Sequence, residues 1–124
     1  MTLTPAGTYR VAKQIGQWAA FAQVTVVVIE RDDEPIVTLA DESQLDQEGR
    51  YLEGLSYGAA FAFQEVPNSE SLGIFVTDLR TMSVDSTSQS IAYATCFAIW
   101  DVLGHTSKNP PYFNEESKTF VFPE

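Results

Sequence analysis

The residues able to do covalent or acid–base chemistry are few. There is one cysteine, Cys96, and one histidine, His105. A thiolate–imidazole pair would need the two side chains to meet, yet they are nine residues apart at the end of one helical stretch, about 13 Å at helical rise. Cys96 also sits in the apolar run Ala94-Thr95-Cys96-Phe97-Ala98-Ile99, where a thiol is a core residue rather than an activated nucleophile. Ser83, Ser86, Ser88 and Ser90 crowd one segment, but none sits in a nucleophile elbow, and they read as loop and capping residues. The carboxylates form two groups, Asp32-Asp33-Glu34 and Asp41-Glu42, with Asp46 and Glu48 beyond. A calcium loop needs a central glycine and a terminal glutamate that this spacing lacks. The stretch 32–48 therefore reads as a solvated face, with a cation or a basic protein as its two possible ligands. The seven glycines match neither a phosphate-binding loop nor a dinucleotide fingerprint. No catalytic, cofactor-binding or metal-ligating set emerges, and the expectation is a protein that is not an enzyme and takes no cofactor.

Charge bounds the partners. The chain has 124 residues and a net charge of −10, with 17 Asp and Glu against 7 Lys and Arg. The basic residues are scattered, so free nucleic acid and anionic membranes are disfavoured as partners, while a basic protein would be steered in. No apolar run approaches the length of a membrane span. Met1-Thr2-Leu3-Thr4-Pro5 has neither a basic region nor an apolar one, so no secretory leader is expected and the cytoplasm is the default location. A single cysteine cannot close an internal disulfide. The chain length fits one domain, expected over residues 1–124 with a core at 8–104 and a tail at 105–124.

The elements that must position these residues follow from periodicity. Residues 8–14 alternate as a short strand. Residues 19–30 carry Val24, Val26 and Val28 on one face and Val27 and Ile29 on the other, the pattern of a central strand. Ile36-Val37-Thr38-Leu39 follows a charged turn and reads as a third strand returning antiparallel. From Arg50 the period becomes helical through Leu52, Leu55, Ala59, Ala62 and Phe63, with Asp46 as a cap. Gly54 and Gly58, one turn apart, predict close packing of this helix on the sheet. Residues 72–79 form a fourth strand. Asp85-Ser86-Thr87-Ser88 offers caps for a second helix, which buries Ile91, Ala94, Thr95, Ala98 and Val102 and stops at Gly104. Thr119-Phe120-Val121-Phe122 reads as an edge strand or a segment packed on the domain. Three strands, helix, strand, helix make an α/β (α+β) two-layer sandwich: a four-stranded sheet with two helices on one face.

Several of these segments, in this order, resemble domain IV of translation elongation factor G. Thr8-Tyr9-Arg10, Lys13-Gln14, Gly16-Gln17-Trp18-Ala19 and the valine strand after them are similar to its opening, a strand ending in Lys-Gln, then Gly-Gln-Tyr-Ala and a long strand. Tyr51-Leu52-Glu53-Gly54-Leu55 resembles its first helix, and residues 73–77 resemble its Gly-Tyr-Pro-Val strand. Val84-Asp85-Ser86 and Ile91-Ala92-Tyr93 resemble its Val-Asp-Ser-Ser helix start and Met-Ala-Phe. The likeness runs over residues 8–103. It implies the ribosomal-protein-like fold with a left-handed βαβ crossover, and a non-enzymatic, translation-related role exerted through protein or ribosome contacts. The chain departs from the family in lacking a GTPase domain and in reading Arg80-Thr81-Met82-Ser83-Val84 where the family has a Gly-Ser-Tyr-His loop. The resemblance places the contact surface on loops 14–18 and 80–86, at Lys13, Gln17, Trp18, Arg80, Met82 and Asp85. The alternative expectation, from charge alone, is an acidic inhibitor or immunity-type protein that neutralises a basic target. Oligomeric state is open on either reading.

Overall fold

The computed structural model describes residues 5–123. The first four residues and the last, which the expected domain and the leader reading included, lie outside the described residues. The chain runs β1 (Gly7–Ile15), β2 (Trp18–Glu30), β3 (Val37–Leu39), a single 3-10 turn (Glu42–Gln44), α1 (Arg50–Gln64), β4 (Leu72–Arg80), α2 (Ser88–Leu103), β5 (Tyr112–Asn114) and β6 (Thr119–Val121). Strands β1 to β4 form one sheet in the order β1-β2-β4-β3, and β5 and β6 form a separate hairpin. Both helices lie on one face of the sheet, giving the two-layer α/β sandwich.

The long strand β2 is central because both its faces carry strand-forming side chains. Ala22, Val24, Val26 and Val28 are fully buried toward the helices, and burying each such valine is worth roughly 1.5–3 kcal/mol. Its hairpin with β1 closes through Gly16 and Gln17 alone, with Ile15 opposite Trp18. Gly16 has φ +59°, the positive value that the first position of a tight hairpin turn of this kind requires. Thus Gln14 and Ile15 belong to β1, and Trp18 opens β2, so the expected loop 14–18 shrinks to two residues.

The third strand returns antiparallel to β2, as expected, but not beside it. β4 lies between them, and β3 pairs in parallel with β4, Val37 opposite Ile74 and Leu39 opposite Val76. The charged turn carries the chain past the place where β4 will pair with β2, and α1 then provides the crossover that parallel neighbours need. The turn is held by Arg31, whose backbone N–H donates to the Ser71 carbonyl at 2.8 Å.

Asp46 caps α1 from three residues before Gly49, which itself has φ +80° and no side chain to offer. Its carboxylate accepts from the N–H groups of Tyr51 at 2.9 Å and Arg50 at 3.3 Å and from the Arg50 guanidinium at 3.0 Å. These N–H groups are first-turn donors with no partner inside the helix. Leu52, expected in the buried stripe, is instead exposed. The stripe is turned toward Tyr51, Leu55, Ala59, Ala62 and Phe63 because α1 faces α2 as well as the sheet. Gly54 and Gly58 mark that second contact: a Cβ at Gly54 would lie 2.5 Å from the Ser88 carbonyl oxygen, and one at Gly58 would collide with that of Ala92. The close approach expected against the sheet is therefore made against α2. These contacts, with the Trp100 indole donating to the Ala62 carbonyl at 2.9 Å, set the two helices parallel, both starting at the same end of the sandwich.

At the start of α2, Thr87 and Ser90 form a reciprocal cap, Thr87 Oγ1 accepting from the Ser90 N–H at 3.1 Å and Ser90 Oγ from the Thr87 N–H at 3.0 Å. Gly104 ends the helix in the left-handed conformation. The tail then lays β5 and β6 over α2. Phe120 is buried between Tyr93 and Phe113, at ring distances of 4.9 and 5.0 Å, and Phe122 packs on Phe61 and Tyr57. β6 is thus a strand of its own hairpin and not an edge of the main sheet.

Two of the structural carboxylates make stability depend on acid. At Asp46, partial desolvation would raise the carboxyl, but the Tyr51 and Arg50 hydrogen bonds outweigh it and hold the group below the ordinary value of 3.8. At Asp78, the Arg80 guanidinium and then the Gln44 amide lower it in the same way. A group lowered on folding contributes fully above its unfolded value and loses that contribution as pH falls through the lower, folded one. Thermal melting should therefore be flat from neutral pH down to mildly acidic conditions and fall below about pH 4. Asp46→Ala should lower the melting temperature at neutral pH, and the gap to the parent should close in strong acid. A gap that stays constant with pH would remove Asp46 from this account.

Candidate functional site

The end of the sandwich at which both helices begin is built from three segments: the Gly16–Gln17 turn, residues 80–86, and the β5–β6 hairpin. Strand β4 leaves β2 at Gln23, opposite Arg80. Residues 81–87 then replace it as the neighbour of β2. The Phe21 N–H donates to the Asp85 carbonyl at 3.0 Å, and the fully buried Ser86 hydroxyl donates to the Phe21 carbonyl at 2.6 Å while accepting from the Met82 N–H at 2.8 Å. The loop is also closed on itself, the N–H groups of Asp85 and Ser86 both donating to the Met82 carbonyl. These bonds occupy the Ser86 hydroxyl as a structural tie, and Ser90 reinforces it with a longer bond of 3.4 Å to the same Phe21 carbonyl.

Between the segments lies a hollow of about 250 Å³ whose walls include Gln17, Trp18, Asp85, Gln89, Lys118 and Phe120. Of the residues expected at the surface, Gln17, Trp18 and Asp85 come together here. Lys13 stands next to them: its ammonium lies 5.0 Å over the Phe113 ring, and that ring stacks on Trp18 at 5.3 Å. Met82 is half exposed on the rim of the loop. Arg80 is placed elsewhere. Leu79 points into the core, so strand alternation sends Arg80 to the opposite face of the sheet, where it pairs with Asp78 at 2.9 Å. Lys13 and Arg80 thus lie on different faces and do not share one patch.

Sequence reasoning did not select Val84, the most exposed large apolar residue among the described residues at 89 %, nor Gln89, Lys118 and Phe120. An apolar residue inside a Ser- and Asp-containing loop was the available signal for Val84. Lys118 and Phe120 come from the tail, and nothing local to them points to the hairpin turn or the second loop.

The groups considered for catalysis are engaged otherwise. Cys96 is fully buried, and its desolvation pushes the thiol well above its ordinary value. His105 Nε2 lies 3.0 Å from Glu65 Oε1, and the Ser107 hydroxyl donates to Glu65 Oε2 at 2.8 Å. The carboxylate is therefore shared between the end of α2 and the start of the tail. His105 also meets the helix C-terminus through its backbone, its N–H donating to the Trp100 carbonyl at 2.9 Å. Burial likewise raises the Tyr93 hydroxyl to about 12. Among the described residues no group of three or more His, Cys, Asp or Glu side chains is placed to hold a metal ion. No helix among them is long and apolar enough to cross a membrane.

No family model matches the chain, and no curated protein matches it. Among solved structures, the crystal structure of a protein from Thermus thermophilus is similar to it, with a TM-score of 0.64 at 16 % sequence identity. The match covers 82 % of this chain and 16 % of that chain. At this identity the likeness shows the fold alone, and the chain spans a small part of the length of the protein it matches.

Proposed function

We propose that this chain is a non-enzymatic interaction domain, related in role to domain IV of elongation factor G, that meets a protein or ribosome partner in the cytoplasm through the end of the sandwich described above. One observation carries the reading: residues 80–86 are fastened to β2 by the Ser86 and Asp85 bonds, yet they present Val84 almost fully to solvent. An exposed apolar side chain on a rigid support is pre-organised for contact, because little ordering remains to be done on binding. Cosedimentation of the full chain with purified ribosomes tests it. The chain should pellet with the ribosomes, and Val84→Asp combined with Gln17→Glu should weaken the association about tenfold, as for loss of a central contact. A chain that stays in the supernatant, or a variant that pellets like the parent, counts against the reading.

A second reading, an acidic inhibitor or immunity-type protein acting on a basic protein, is favoured by the carboxylates gathered around the Arg31 turn. It requires an association rate that falls steeply with salt; a rate indifferent to salt would remove it.

A further inference from the structure

Only one face of the sheet is covered. The helices lie against Val24, Val26, Val28, Ile74 and Val76, all fully buried. Strand alternation turns Val27 and Ile29 of β2 and Phe75 of β4 to the other face. Val27 sits directly opposite Phe75, all three are partly exposed, and none belongs to the core cluster or packs against it. No described element lies over them.

Arg31 sets the chemistry at the foot of this apolar strip. Its side chain lies across Gly73, where an added Cβ would stand 2.8 Å from Arg31 Cδ. Its guanidinium donates to the carbonyls of Leu72 at 2.9 Å, Glu34 at 3.1 Å and Glu70 at 3.5 Å. Its donors are thus used on backbone oxygens, and it draws the 31–35 turn against residues 70–72. Asp32, Asp33, Glu34 and Glu70 lie in the two segments that this guanidinium ties together through the Glu34 and Glu70 carbonyls. Among the described residues none of these carboxylates has an ion pair with a Lys, Arg or His side chain. Glu34 accepts from the Asp32 N–H, which fixes its position in the turn. At the opposite end of the same face the cation without a carboxylate partner among the described residues is Arg10, 5.4 Å over the Phe21 ring, while Arg80 is paired with Asp78.

We propose that this open face docks a partner segment with an apolar side and a cluster of lysines or arginines at one end. The apolar side chains would rest on Val27, Ile29 and Phe75, and the cationic end on the carboxylates at the foot. The cationic head of the face opposes the reverse placement, so the same charges set direction. A net charge of −10 steers such a segment in from solution. The proposal rests on the second reading above for the basic character of the partner, and it is independent of the Val84 end.

The test uses the full chain, isotope-labelled for NMR, and a synthetic amphipathic helix with leucines along one face and lysines clustered at one end. A counterpart with glutamates in place of the lysines is the control. The lysine probe should shift the amides of residues 25–31 and 72–77, and raising the salt should weaken it as screening grows. Phe75→Thr and, separately, Asp33→Asn with Glu70→Gln should each weaken binding about tenfold. Phe75 contributes nothing to the helix-side core, and Val27→Thr gives a second apolar variant should the first not fold. Equal binding of the glutamate probe overturns the charge match. Shifts confined to residues 41–48 or to the helices overturn the face while leaving a basic partner in place. No interaction with the lysine probe overturns both. Self-association through residues 25–31 without any probe would assign the face to a second copy and overturn the proposal.

Discussion

Phe120→Ala is expected to cost about 3–5 kcal/mol, the range for emptying a buried phenylalanine site, out of a total stability of order 5–15 kcal/mol for a domain. Phe120 is 5 % exposed and joins two groups of rings. On one side Phe113 passes the contact to Trp18, and on the other Tyr93 passes it to Phe97 and through that ring to Trp100. The cavity left by alanine cannot close easily, because these rings are held by β2, α2 and the tail hairpin. Ending the chain at Gly104 should do more, since it removes Phe113, Phe120 and Phe122 together and uncovers Trp18, Tyr93 and Phe61. The shortened chain is expected to lose its cooperative urea transition, with tryptophan emission moved to the red. An unchanged urea midpoint for Phe120→Ala, or a cooperative transition in the shortened chain, would make the tail peripheral.

Gly58→Ala is expected to lower stability by about 2 kcal/mol. The new methyl would collide with the Ala92 carbonyl and come within 2.9 Å of Thr95 Cβ. Neither atom can yield: the first is helix backbone, and the Thr95 side chain is fully buried, its hydroxyl bonded to the Ile91 carbonyl at 2.7 Å. Overpacking of this kind costs roughly 3 kcal/mol, from which the helix propensity gained by replacing glycine returns about 1 kcal/mol. For a domain of this size the melting temperature should fall by about 8 °C. Gly54→Ala meets the Ser88 carbonyl in the same way and should fall similarly. If either variant melts at or above the parent, the two helices have room to separate and their close contact is not what fixes their spacing.

These glycines also show how much was legible before the fold was known. Their spacing of one turn predicts a close approach, because only a missing side chain permits it, but spacing along one helix does not say which neighbour approaches. The caps of α2 were legible for a local reason: Thr87, Ser90 and Gly104 act within a few residues of themselves. The partner of β3 was not, because a strand of three residues takes its neighbour from whatever the chain builds later, and β4 lies beyond α1. In the candidate site, Gln17, Trp18 and Asp85 fall around one hollow because the turn and the second loop each border β2. Arg80 does not join them, and alternation from the apolar Leu79 already contained that outcome. Lys118 and Phe120 complete the hollow from the far end of the chain, where only tertiary packing could bring them.

The parallel pairing of β3 with β4 has a kinetic consequence. The β1–β2 hairpin closes over two residues and can zip on its own, because its loop entropy is small. β3 can gain nothing until α1 has formed and β4 has arrived, so its pairing must wait for a long loop to close. Folding should therefore pass through a barrier at which the hairpin is in place while the β3–α1–β4 unit is being assembled. The helix glycines then bear on how fast the native state is reached as well as on how long it lasts.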